Sequence, residues 1–150
     1  MRHSAIAAIL LGGLIAGTID IGSACIISGY NPETILHSIA SGVLGANSFY
    51  GGLPTAALGL VLQWALSLII AAIYVIAATR IELLQRFWIA GGLAYGVVIF
   101  FVMNDIVVPL SAAPFGHRAM SLIKAAENML AMLLFGLIVA FFARAKHKPA

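Results

Sequence analysis

Charge is scarce in this chain. Only 9% of its 150 residues are Asp, Glu, Lys or Arg, against about 25% in an ordinary soluble domain. That deficit excludes a soluble enzyme, a disordered tail and a nucleic-acid-binding domain. Cysteine is scarcer still. The single Cys25 excludes an internal disulfide framework and a cysteine-based zinc site. Catalytic signatures are missing as well: there is no HExxH, no GxSxG and no phosphate-binding GxxxxGKS or GxxxxGKT. The histidines, His3, His37, His117 and His147, are too dispersed for a metal centre. No metal, cofactor or nucleic-acid partner is expected, and the chain is read as non-enzymatic.

Apolar residues fill the space left by charge. They make up 63% of the sequence, and mean hydropathy is +1.09. This is the composition of an integral membrane protein, whose first partner is the lipid bilayer. Crossing a bilayer takes about 20 helical residues, and four stretches are long enough: approximately 5–27, 55–78, 88–110 and 122–143. The expected fold is an all-α integral membrane protein, a four-transmembrane-helix bundle forming a single domain over 1–150.

Basic residues set the orientation. Arg2, Arg80, Arg86, Arg144, Lys146 and Lys148 fall on one side of an even number of spans, against Arg118 and Lys124 on the other. Both termini are therefore expected in the cytoplasm. Phe87 and Trp88 fit an interfacial aromatic anchor at the inner end of the third span. The run Gly22-Ser23-Ala24-Cys25 has the small residues of a lipoprotein cleavage site. Gly22 stands where such signals carry Leu, however, and Asp20 interrupts the apolar region, so no cleavage is expected.

The first outer loop is patterned. Asn31-Pro32-Glu33 combines a cap, a first-turn proline and a first-turn acid, which predicts a helix start. Ile35, Leu36, Ile39, Ala40, Val43 and Leu44 then share one face, and His37, Ser38, Ser41 and Gly42 the other. Fourteen residues at ~1.5 Å each cover about 21 Å, too short to span. An amphipathic interfacial helix that covers the bundle is the expected reading. A re-entrant hairpin is the alternative, given Gly45, Gly51, Gly52 and Pro54 just beyond. The second outer loop, with Pro109, Pro114 and Gly116, predicts a compact break before the fourth span.

Small residues let membrane helices approach closely. Gly13, Gly17, Asp20 and Ala24 lie within ~60° of one another on the first helix, so that stripe should face another helix. A matching GGLxxG pattern recurs as Gly91-Gly92-Leu93-Ala94-Tyr95-Gly96. Gly13, Gly17, Gly92 and Gly96 are accordingly the candidate helix-packing residues. An acid inside a bilayer costs several kcal/mol and marks a functional candidate. Asp20 and Asp105 fall about 5 Å and about 9 Å outward of their span centres, and Glu127 lies in the same leaflet. With His37 nearby, these acids are the candidates for an outward-facing proton or cation site. The competing reading makes Asp20 an interhelical hydrogen-bonding group, with Thr18, Ser67 and Asn104 as available partners, and makes Gln63 a residue that bonds across helices.

Several runs resemble a known group. Gly13-Leu14-Ile15-Ala16-Gly17-Thr18-Ile19-Asp20, the stretch ILHSIASGVLG at 35–45, Gly51-Gly52 and VVPLSAAPF at 107–115 are similar to small bacterial inner-membrane proteins of the YagU-like group. The resemblance covers about 8–116. It implies a four-helix multi-pass protein of the bacterial inner membrane and supplies no catalytic residues. It also implies a histidine near Gln63, which this chain lacks. Two functions remain open. The leading expectation is action through helix–helix contacts, with a second copy or another membrane protein. The alternative is a small proton or cation transporter or channel with Asp20 and Asp105 at its centre.

Overall fold

The structure, a computed structural model, describes residues 2–112 and 121–144, with side chains from 5 onward. Pro114, Gly116, His117, Arg118, Lys146, His147 and Lys148 lie outside the described residues, as do the side chains of Arg2 and His3. The described residues are helical almost throughout. Helix α1 (Arg2–Ser28) is followed by α2 (Pro32–Leu44), a 3-10 turn over Gly45–Tyr50, α3 (Gly52–Arg80) and the short α4 (Glu82–Arg86). Then come α5 (Trp88–Val102), a π-turn over Met103–Val107, α6 (Val108–Leu110) and α7 (Leu122–Arg144). Four helical segments, Ala5–Ser28, Gly52–Arg80, Trp88–Leu110 and Leu122–Arg144, are long and apolar enough to cross a membrane.

Packing follows from small residues. α1 lies between α3 and α7, and α7 lies between α1 and α5. α3 meets α5 through Tyr74 and Tyr95, whose rings are 5.0 Å apart. The most buried positions are largely Ala and Gly: Ala8, Ala16, Ala71, Ala140, Gly92 and Gly136. Large aliphatic side chains point outward instead, with Ile26 85%, Val61 59% and Leu130 66% exposed. This is the arrangement a lipid solvent favours, where close backbone approach rather than apolar burial holds helices together. At the crossing of α5 and α7, a Cβ on Gly96 would stand 2.6 Å from the carbonyl oxygen of Met132, and one on Gly136 would collide with that of Gly92.

The end of the bundle that carries α4 is basic and aromatic. Arg80 closes α3 and Arg86 closes α4. The Arg144 guanidinium lies 4.6 Å from the Trp88 ring centroid and 4.7 Å from that of Phe141, within cation–π range.

The opposite end is roofed by α2. Asn31 caps it as its sequence predicts, its side-chain oxygen accepting from Thr34 N–H at 2.8 Å. Gly45 ends it at φ 67, in the left-handed region glycine enters freely, and returns its N–H to Ser41. Between those ends α2 crosses α3 so closely that a Cβ on Gly59 would overlap the Leu36 carbonyl. Its far end is fixed to the segment after α6, where Ala112 N–H donates to Gly42 at 2.9 Å.

Both faces of α2 are buried in part: His37 and Ser41 of the polar face and Ile35 and Ala40 of the apolar face are inside, while Val43 and Leu44 are exposed. His37 Nε2 lies 2.9 Å from the Gly52 carbonyl oxygen, and its own carbonyl accepts from the Ser48 hydroxyl at 2.9 Å. The polar face is used inside the protein, where His37 meets the backbone at the start of α3 and the α2 backbone accepts from the 3-10 turn.

Candidate cation site beneath helix α2

A cavity of about 510 Å³ lies beneath α2, walled by α1, α3, the π-turn region and α7. Asp20 is its only acidic lining residue among those described. The small-residue stripe explains how Asp20 reaches it. Gly13 and Gly17 pack directly on α3, where a Cβ on Gly13 would stand 2.9 Å from a Leu68 methyl and one on Gly17 would strike Ser67. That contact turns the same face of α1, one turn further on, toward the centre of the bundle.

Gln63 of α3 meets Asp20 there. Its Nε2 donates to Asp20 Oδ2 at 2.9 Å and to the Gly17 carbonyl at 3.3 Å. Both amide protons are thereby used, and Gln63 also lines the cavity. Asp20 keeps one oxygen without a protein donor among the described residues. One turn along, Trp64 Nε1 donates to Thr18 at 3.2 Å, a second bond across the same helix pair. Thr18, Ser67 and Asn104 are therefore not the partners of Asp20. Ser67 gives its proton to the Gln63 carbonyl at 2.7 Å, and Asn104 donates to Phe100 at 2.8 Å.

The other candidate residues are not brought to Asp20. Asp105 is exposed and does not line the cavity. Its neighbour Asn104 does. The cause is the π-turn, which accommodates Pro109 by widening the helix one turn before it and rotates the register of Met103–Val107. Glu127 is half-buried and also lies off the cavity wall, which Asn128 lines instead. His37 is held on Gly52, above the cavity rather than in it. The first turn of α7 has another use: Lys124 Nζ donates to the Ile27 carbonyl at 2.8 Å, placing a cation at the C-terminal end of α1.

The sequence offers Asn104 only as a partner for Asp20, not as a cavity-lining residue, and gives Asn128 no role beside the acid at 127. Pro109 was the available signal for Asn104: a proline late in an apolar helix implies a local change of register. For Asn128 there was none beyond its polarity. Among the described residues Asn128 has no hydrogen-bond partner, and no group of three His, Cys, Asp or Glu side chains is assembled for a metal ion.

Comparison with family models, curated proteins and solved structures finds no match to this chain. The resemblance to the YagU-like group gains no support from it, and function has to be argued from the residues themselves.

Proposed function

We propose that this chain is a multi-pass protein of the bacterial inner membrane, with both termini in the cytoplasm, that carries protons or small cations through the Asp20 cavity. The observation that supports this most is the position of Asp20. It is an acid in the outward third of an apolar helix, half-buried on the wall of a partly open cavity, with one oxygen tied to Gln63 and the other without a protein donor among the described residues. A carboxylate used only as interhelical glue needs no such space beside it. An intramembrane acid that faces a cavity marks an ion pathway.

One carboxylate gives exchange a simple basis. Asp20 holds either a proton or a cation, and its charge is neutralised in both states. Among the described residues, other titratable groups of the neighbouring elements do not line the cavity: Glu33 and His37 on α2, Asp105 in the π-turn, and Lys124 and Glu127 on α7. Entry and release then need α2, which covers the cavity through Ile35, Ser38, Ile39 and Gly42, to move.

The leading expectation from sequence, action through helix contacts with a second copy or a partner, relied on the small-residue faces. Gly13 and Gly17 are occupied by α3, and Gly92 and Gly96 by α7. That leaves the expectation without the surface it rested on. A non-enzymatic role still fits the site, since Ser67 points its hydroxyl at Gln63 and His37 is turned to Gly52.

The test is flux in proteoliposomes under an imposed pH gradient, with sodium, potassium or n-butylammonium supplied and protein-free vesicles subtracted. The reading expects flux in wild type that is lost in Asp20→Asn. Absence of protein-dependent flux for protons and for every cation overturns it.

A further inference from the structure

The composition of the cavity says more about its cation than the carboxylate alone does. We infer that the cavity binds a protonated primary amine with an apolar body, its ammonium on Asp20 and its hydrocarbon against α3, α5 and α7. The inference rests on the Asp20 cation site proposed above and specifies what occupies it.

Volume argues first. About 510 Å³ is the size of a small-molecule pocket. A bare inorganic ion is held by several oxygens at about 2.0–2.6 Å, and here one carboxylate faces a space many times larger than an ion. The wall argues second. Much of it is apolar, with Ile70, Ile99, Met132 and Phe135 offering contact to hydrocarbon and nothing to a hydrated ion. The polar groups argue third. The Asp20 oxygen that Gln63 leaves without a donor can accept N–H bonds from an ammonium, and Gln63 beside it lines the same cavity. The unpartnered amide of Asn128 and the Asn104 side chain add polar contacts on the other wall.

The same groups separate ammonium types. A quaternary ammonium has no N–H to give and is recognised by aromatic faces. Among the described residues Phe135 is the one aromatic side chain lining the cavity, and one ring makes no cage. A guanidinium fork would have to share Oδ2 with the Gln63 amide.

The probe is n-hexylammonium, titrated calorimetrically into the purified full chain in detergent, with empty micelles subtracted. n-Hexanol, tetraethylammonium and sodium serve as competitors of matched body, matched charge and bare charge. The expected result is saturable binding of n-hexylammonium at least about tenfold tighter than of any of the three, the scale of one charge-assisted hydrogen bond. A loss of about tenfold or more is expected in Asp20→Asn, with binding retained in Asp105→Asn. Equal binding of n-hexanol or of tetraethylammonium by the wild type overturns the inference, and that comparison stands even if Asp20→Asn does not fold. Asp20-dependent flux of protons or sodium without n-hexylammonium binding overturns the inference and leaves the carrier reading intact. Asp20-dependent binding without any flux supports the inference and overturns the carrier.

Discussion

Gln63 Nε2 and Asp20 Oδ2 stand 2.9 Å apart and join the middle of α3 to the C-terminal third of α1. The bond fixes where the carboxylate points and leaves its other oxygen without a protein donor among the described residues. Structure and function then separate at this pair. Asp20→Asn keeps an acceptor for Gln63 and removes the charge, so it should change stability by less than about 1 kcal/mol. Gln63→Leu strips the donor and should cost about 1–2 kcal/mol, in the range of interhelical hydrogen bonds and unsatisfied polar groups. Reversible unfolding in bicelles, with the double variant closing the cycle, measures the coupling.

Glycine substitutions should divide by what their Cβ meets. Gly136→Ala and Gly59→Ala drive a methyl into a backbone carbonyl, of Gly92 and of Leu36 respectively. Neither neighbour is a flexible side chain, so each should destabilise by about 1–3 kcal/mol or more. A methyl added at Gly22 would meet nothing within 4 Å. Gly22→Ala should be neutral or stabilising by up to about 1 kcal/mol through helix propensity. Thermal unfolding of the three variants under one condition decides this.

The lid should be lockable. A Cβ on Gly42 would lie 3.7 Å from that of Ser111, inside the ~3.5–4.5 Å range of disulfides. In a Cys25→Ala background, Gly42→Cys with Ser111→Cys should cross-link on oxidation. Flux should stop in the oxidised protein and return with reductant. Unchanged flux with the bridge formed would show that α2 does not have to move.

Tyr74 carries the opposite kind of prediction. It is 2% exposed and its hydroxyl has no hydrogen-bond partner among the described residues, while Tyr95 donates to the Ile70 carbonyl at 2.8 Å. Tyr74→Phe removes an unsatisfied buried group and should be neutral or stabilising by about 1 kcal/mol. Tyr95→Phe loses a bond and should destabilise by about 0.5–1.5 kcal/mol. Both are read in the same unfolding assay.

Much of the fold was legible because a bilayer imposes length and composition. The expected stretch 88–110 coincides with Trp88–Leu110, and the start of α2 follows from Asn31-Pro32-Glu33. The stripe through Gly13 and Gly17 was legible as a packing face, but its partner was not, because spacing on one helix carries no information about the next. The inward side of α2 was illegible for a different reason. In water an apolar face must turn inward, whereas where both solvents meet, Val43 and Leu44 can be exposed and His37 buried. At Asp105 a single π-turn exchanged the acid for Asn104, a shift of register that helical periodicity assumes away.

The decisive comparison sets Asp20→Asn against Asp105→Asn in the same proteoliposome flux assay. Both replacements are isosteric and remove one charge, but only Asp20 lines the cavity. Asp20→Asn should abolish protein-dependent flux. Asp105→Asn should leave it within about twofold of wild type, as expected of an exposed side chain off the pathway. Flux that survives in Asp20→Asn, or that depends on Asp105 instead, contradicts a carrier built on the Asp20 cavity.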